Sequence, residues 1–404
     1  DVGGNVRTLA TPGSQQDSGS NPPTSAPAAY LRVSSSAGTT TTDANGNFNF
    51  PGVNGPLAVT FTYVGPYNDV NNVTGSDYSL TTSLSGTNNN VLLNPAPSGP
   101  TTAQANIFQA INLMRDWIRG IDASDLQMDL VNTAFANRDF VDLGGGFVID
   151  DCNAYYDGSS TNYFLPGGGC VNTAYSTVVA HEQGHWLNDR YGSGNGSDGF
   201  GEGNADVFAM YLYNTPIVGA GFFGPGTQIR SGLNTVPFCG DSNPGCHGGV
   251  HASGQVLGGA LWKVRANLQT KYGGSLGGLI ADQLLSGWMN GFDQGTITTA
   301  VEIQWLTLDD DDGNIGNGTP NYQEIDGAFR AQGFPGFELE LISIANLVKP
   351  VDTLDQAGPY GVAANLAAAQ GSLTSARVFY STGGSFQSLP MALFQGSQWT
   401  GLIP

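Results

Sequence analysis

The chain has 404 residues, enough for two or three domains, and carries 13 Lys and Arg against 33 Asp and Glu, a formal charge of −20. So acidic a chain, with only three lysines (Lys263, Lys271 and Lys349), repels a phosphate backbone and excludes nucleic acid as a favoured partner. No apolar run approaches the roughly 20 residues that cross a membrane, and 59 glycines plus 21 prolines stay below the level of low-complexity sequence.

The opening DVGGNVRTLA lacks a leader pattern and reads as a mature start. Residues 1–98 show almost no helical periodicity. YLRVSSS, GNFNFPG, PLAVTFTYVG and NNVLLNPAP read as short strands bounded by Asn-Gly, Pro and Gly. TTTTDANGNFNFPGV reads as a hairpin turning at Asn45-Gly46. The expectation is a small β-sandwich-like module over 1–98, with PAPSGPTT, residues 95–102, as a linker. The period then changes. Ile107, Ile111, Met114 and Ile118 lie on one helical face. Helices are expected over 103–119, 174–190, 203–213, 251–271, 276–289, 296–308 and 320–331, and β signal only around 129–149, in DLVNTAF and GGFVID. Strand patterns return after 337 in FELELISI, ARVFYSTGG and WTGLIP. The expected class is multidomain α+β. A domain over 99–336, with a β-containing front half and a mainly helical back half, is flanked by small all-β sandwich-like modules at 1–98 and 337–404.

Four cysteines allow three pairings. Nearest-neighbour pairing, Cys152–Cys170 and Cys239–Cys246, closes two local loops rich in Gly, Asn or Pro, and none of the four sits in a CxxC pair. Two disulfides and an extracellular setting are expected. The alternative is four buried free thiols.

The most informative segment is AYSTVVAHEQGHWLNDRYG. His181 and His185 are four residues apart, so both imidazoles reach one ion from one helix face, with Glu182 placed as a general base. Two of the chain's four histidines are here. A catalytic zinc takes three protein ligands and keeps a position open. Glu202, 17 residues after His185 in GFGEGNADVFAMYL, supplies the third. Asp206, one turn on, then accepts the other ring N–H of a ligating histidine. The competing readings are a surface helix with incidental histidines and a helix amino-terminus that favours acids. His247 and His251 are also four apart, but Gly248-Gly249 between them make a loop, so no second zinc is expected there. His251 opens an apolar helix and is either an oxyanion stabiliser or a structural histidine.

HEQGH followed by GEGNAD resembles the glutamate-zincin metallopeptidases of the thermolysin and fungalysin families, over roughly residues 103–335. CNAYYDG is similar to that family's substrate-holding edge strand, which falls on Asn153, Ala154, Tyr155 and Tyr156. GGVHASG resembles its oxyanion-histidine segment, at His251, and QIRSG its carbonyl-binding arginine, at Arg230. The family's second active-site Tyr or His has no clean counterpart; Tyr191 is the nearest. The resemblance implies a thermolysin-like catalytic domain and a secreted zinc endopeptidase acting on peptides or proteins, with Glu182 as base, His251 and Tyr191 at the oxyanion, and Asn153, Ala154, Tyr156 and Arg230 on the substrate. A zinc aminopeptidase on the same scaffold, or a non-catalytic adhesive protein retaining the metal site, are the rivals.

Asp309, Asp310, Asp311 and Asp312 precede Asn314 and Asn317. They miss the EF-hand register, since Gly313 at position six puts Leu308 at position one. Four acids at a helix carboxyl end oppose its dipole, and clustered oxygens suit Ca²⁺, so a structural calcium is expected there; the alternative is a solvated helix end.

Overall fold

The computed structural model describes residues 1–139, 141–144, 147–149, 152–354 and 356–404, with 141–144 and 147–149 described by their backbone alone. Residues 145, 146 and 150 of the expected GGFVID strand lie outside the described residues. The fold is mixed α+β and forms two compact units, residues 1–308 with 323–336 and residues 309–322 with 337–404.

The first unit begins with two facing sheets. β1 (Val2–Ala10) pairs antiparallel with β2 (Thr24–Pro27) and with β5 (Asn47–Phe50), and parallel with β9 (Asn89–Leu93). The other sheet runs β4 (Gly38–Thr41), β3 (Arg32–Ser35), β6 (Leu57–Thr62), β8 (Ser79–Leu84). Alternation aims Phe48 of β5 and Phe61 of β6 between the layers, where their rings meet edge to face at 5.6 Å.

The Asn45-Gly46 turn forms, with the Asp43 carboxylate accepting from the N–H groups of Asn45 and Asn47. It does not close a hairpin, because β4 pairs with β3 and β5 with β1. Thr42 explains the difference. Its buried hydroxyl donates to the Ala28 carbonyl and accepts from the Leu31 N–H, which ends β4 and sends the chain to the other layer.

No break falls near residue 98. β7 (Asn68–Asn72) leaves the sandwich and pairs parallel with β10 (Asn132–Arg138). α1 (Gly99–Ile121) starts inside the expected linker because Ser98 and Thr101 form a capping box. Phe108 of α1 packs on Tyr63, and Asn112 Nδ2 donates to the Ala29 carbonyl at 3.0 Å. The amino-terminal β region and the helical region therefore share one compact unit.

β11 (Val141–Gly144) and β12 (Phe147–Ile149) pair antiparallel. β13 (Ala154–Tyr156) and β14 (Ser160–Phe164) complete a sheet of order β13-β14-β10-β7, leaving β13 at an edge. α2 (Ser176–Tyr191) packs on this sheet. Buried Gln183 donates from Nε2 to Asn132 of β10 and Thr161 of β14. Gly192, left-handed at φ 80°, ends α2. After α2 come α3 (Phe200–Tyr213), the two-residue strands β15 (Ile217–Val218) and β16 (Arg230–Ser231), α4 (Val250–Tyr272), α5 (Gly274–Gly291), α6 (Ala300–Asp309) and α7 (Tyr322–Ala331). All seven expected helices are present, with ends shifted by a few residues, but the β content is not confined to 129–149: β13 and β14 extend it to residue 164, and β14 was hidden because its STNYF run is buried at every position and shows no apolar/polar alternation.

The second unit is one antiparallel sheet of order β17-β18-β21-β20-β19, from β17 (Ile342–Val348), β18 (Tyr360–Ala368), β19 (Ala376–Tyr380), β20 (Gln387–Gln395) and β21 (Gln398–Ile403). It is a single layer among the described residues, not a sandwich. The acidic loop joins this unit rather than the helical one: the Glu340 N–H donates to Gly316 O and Gln370 Nε2 to Asn317 O.

Candidate metal centre and cleft

Three helices meet at glycines. A Cβ on Gly184 of α2 would lie 2.6 Å from Ala205 Cα of α3, and one on Gly203 of α3 would lie 2.4 Å from Gly254 O of α4. Only hydrogen in place of a side chain lets these backbones touch. The crossings bring His181 and His185, Glu202 and His251 to one point.

The donor atoms converge. His181 Nε2 is 3.2 Å from His185 Nε2 and 3.3 Å from Glu202 Oε2, and His185 Nε2 is 3.6 Å from Glu202 Oε1. Zinc–ligand bonds of about 2.0–2.2 Å in a tetrahedron put ligand atoms about 3.3–3.6 Å apart. Glu202 Oε2 is also buried, and among the described residues no donor meets it at hydrogen-bonding geometry. The donor set fits a zinc-sized ion, and these three residues are a group that could hold one.

Each imidazole is held from behind. The Asp206 carboxylate accepts from His181 Nδ1 at 2.7 Å, and Asn195 Oδ1 from His185 Nδ1 at 2.9 Å. Both Nε2 atoms are thereby turned toward the common point. Asn195 also donates to the His185 carbonyl and to Asp189, and accepts from Asn188. Sequence reasoning missed it. Its one signal, an asparagine isolated among the glycines of GSGNGSDG, matches loops in general.

The charges around the centre are set by their neighbours. Burial disfavours a charged His181, but Asp206 and Glu202 outweigh it and raise its pKa to about 10. Burial opposes ionisation of Glu202 too, and the two imidazoles overcome this and hold its carboxyl far below the usual range. Glu182 goes the other way: burial pushes its pKa up, and His181 and His185 only partly offset it.

Two cavities flank the donors and share Asn153, Ala154, His181, Glu182 and His251. One, of about 280 Å³, is walled by Val178, Val218, Phe222, Phe223 and Ile229, with Arg230 at its side. The Cys152–Cys170 disulfide, Cα–Cα 5.0 Å, packs beneath it. The other, of about 290 Å³, is lined by Tyr155, Tyr156 and Asn195. Tyr156 hydrogen-bonds Asp189, and burial with that bond raises its pKa. Asn153 Oδ1 accepts from the Ala154 N–H. Arg230 is clamped by Asp206 through two bonds, at 2.6 and 2.8 Å. His251, in the first turn of α4, is 63% exposed, with Nε2 3.3 Å from Glu202 Oε2.

Tyr191 is not part of this site. At the carboxyl end of α2 it is buried, and its hydroxyl donates to Asp125 Oδ2 at 2.6 Å, beside Asn290. One turn and a half past His185, it faces the interior between α2 and α5.

The other expectations divide similarly. Both disulfides form as nearest neighbours, Cys239–Cys246 with Cα–Cα 6.4 Å. His247 Nε2 lies 2.8 Å from the Pro237 carbonyl. Asp310, Asp311 and Asp312 bring carboxylates within 4.8 Å of one another, but Asp309 is not with them. Its carboxylate is occupied by the Thr319 hydroxyl and by the backbone and side-chain N–H groups of Asn321, each at 2.6 Å.

No protein-family model and no curated protein matches the chain.

Proposed function

We propose that the chain is a secreted zinc-dependent endopeptidase whose catalytic machinery, thermolysin-like in arrangement, lies in the first unit. The supporting observation is the convergence of His181, His185 and Glu202 at tetrahedral spacing beside buried Glu182, where two cavities meet. A cleft open on both sides of the donors suits a chain running through rather than a free amino-terminus, which favours an endopeptidase over an aminopeptidase. Two disulfides suit an oxidising compartment outside the cell.

Held by His181, His185 and Glu202, zinc would polarise the peptide carbonyl and acidify a water. Glu182 accepts the proton of the attacking water at its carboxylate and delivers it to the leaving amine nitrogen. Its burial-raised pKa brings it toward the working range of a general base. His251 Nε2 donates to the oxygen that gains negative charge. Asp206 holds Arg230 ready to donate to a substrate carbonyl. The edge of β13, which has no second strand partner among the described residues, pairs with the substrate backbone as an added strand, with Asn153, Ala154 and Tyr156. An apolar side chain fills the cavity bounded by Val218, Phe222 and Ile229.

The test is a casein and peptide digest with and without chelator, on the wild type and on Glu182→Gln, with zinc measured in both. Chelator-sensitive cleavage lost in a zinc-loaded Glu182→Gln supports the reading. Full activity in that variant sinks it. For the acidic loop we propose calcium on Asp310–Asp312, and elemental analysis of calcium-saturated protein that finds none beyond background overturns it.

A further inference from the structure

The wall of the apolar cavity is a segment with little structure of its own. Between β15 and β16, residues 219–229 are irregular, with Gly219, Gly221, Gly224 and Gly226 all at positive φ. Yet this segment and its two strands supply Val218, Phe222, Phe223, Ile229 and Arg230 to the cleft. Its shape must be imposed by what it touches.

On one side it is tied to the start of α2 and the preceding loop. The Gly219 N–H donates to Thr177 Oγ1 at 3.0 Å, the Tyr175 hydroxyl to Ala220 O at 3.1 Å, and the Val171 N–H to Phe222 O at 3.1 Å. On the other side stands the amino-terminal region. Gln15 pairs with Ala220 in an isolated parallel bridge. Gln16, only 8% exposed, lays its side chain where a Cβ on Gly221 would be, 2.9 Å from the Gln16 Cγ.

The loop that presents these glutamines is itself braced. Asn21 Nδ2 reaches the carbonyls of Pro12, Gln15 and Gln16 at 3.0–3.1 Å. The Thr11 N–H donates to Asn106 of α1, and Asn106 donates to Ala174 O, next to the Tyr175 that holds Ala220. One network of hydrogen bonds thus runs from the end of β1 to the cavity wall.

We infer that residues 12–21 position the cavity wall, so that the amino-terminal β region sets which side chain the cleft accepts. This rests on the endopeptidase reading. Gln16 and Asn21 are positioning residues, since neither lines the cavity. Loosening them lets Phe222 and Val218 move, and a relaxed pocket loses discrimination between large and small apolar side chains. Binding of the substrate backbone, which uses β13, is left in place.

The experiment uses the full chain, zinc-loaded, as wild type, Gln16→Ala and Asn21→Ala. Three peptides differ only in the residue occupying the apolar cavity: Leu, Phe or Ala. Both variants are expected to lower the Leu-over-Ala ratio of kcat/KM about threefold or more, with the Ala peptide cleaved at near the wild-type rate and zinc content unchanged. Amide exchange in 218–224 is expected to speed up in both. Unchanged ratios in an active enzyme, or exchange unaltered in 218–224, overturn the inference alone. An equal loss on all three peptides also overturns it, because it marks general damage. If Asn21→Ala does not fold, Gln16→Ala decides. A wild type without chelator-sensitive cleavage overturns the endopeptidase reading and the specificity claim with it.

Discussion

Gly184 and Ala205 touch backbone to backbone: a Cβ on Gly184 would lie 2.6 Å from the Ala205 Cα and 3.1 Å from its Cβ. Gly184 sits between the two histidines of α2, and Ala205 lies one turn after Glu202 on α3. The contact therefore sets how far the Glu202 carboxylate stands from both imidazoles.

Gly184→Ala forces the helices apart. Overpacking of this kind costs about 1–3 kcal/mol, and a displacement near 1 Å at a reacting centre costs about 100-fold in rate. A folded variant with lower Tm, weaker zinc binding and a large loss of kcat/KM is expected. Zinc affinity equal to wild type, by competition with a chromophoric chelator, would show that the crossing does not set the donor spacing.

Asn195→Ala removes the acceptor from His185 Nδ1. Loss of such an outer hydrogen bond costs about 10–100-fold in metal affinity. Asn195→Asp keeps an acceptor and should retain more. Equal affinities in all three proteins would remove Asn195 from the metal site.

Tyr191→Phe deletes the 2.6 Å bond to Asp125 and leaves Asn290 as a donor to that carboxylate. The expected cost is about 1–3 kcal/mol of stability, read as a lower denaturation midpoint, with kcat/KM within about twofold of wild type. A loss near 100-fold with the midpoint unchanged would return Tyr191 to the chemistry.

Metal affinity should rise with pH. Burial disfavours the charged His181, but the carboxylates of Asp206 and Glu202 prevail and hold its pKa near 10 in the metal-free protein. An ion must take Nε2 from a neutral ring, so binding below that pH expels a proton. Affinity is then expected to climb by up to about tenfold per pH unit between pH 6.5 and 8.5, and to release protons in calorimetry across two buffers. A flat profile would contradict the ion pairs that raise this histidine.

Much of this molecule is written locally. The i, i+4 histidines, Glu182 and the seven helices come from periodicity within single segments, and the nearest-neighbour disulfides from short Gly-rich loops. The Asn45-Gly46 turn was legible too, but not its destination, because Thr42 reaches Ala28 and Leu31, and no local pattern reports a partner eleven or more residues away. Asn195 and the seating of Tyr191 on Asp125 were hidden for the same reason: each role depends on a neighbour brought in by folding.

The sequence by itself determined which residue types are available to hold a metal and on which helix faces they stand. The tertiary structure decided that three helices cross at Gly184 and Gly203, close enough for donors from separate segments to share one point. It also decided that β7, from within the first 98 residues, completes the sheet on which α2 rests. Spacing along a helix is set by 3.6 residues per turn. Convergence between helices is set by the volume of the side chains where they touch.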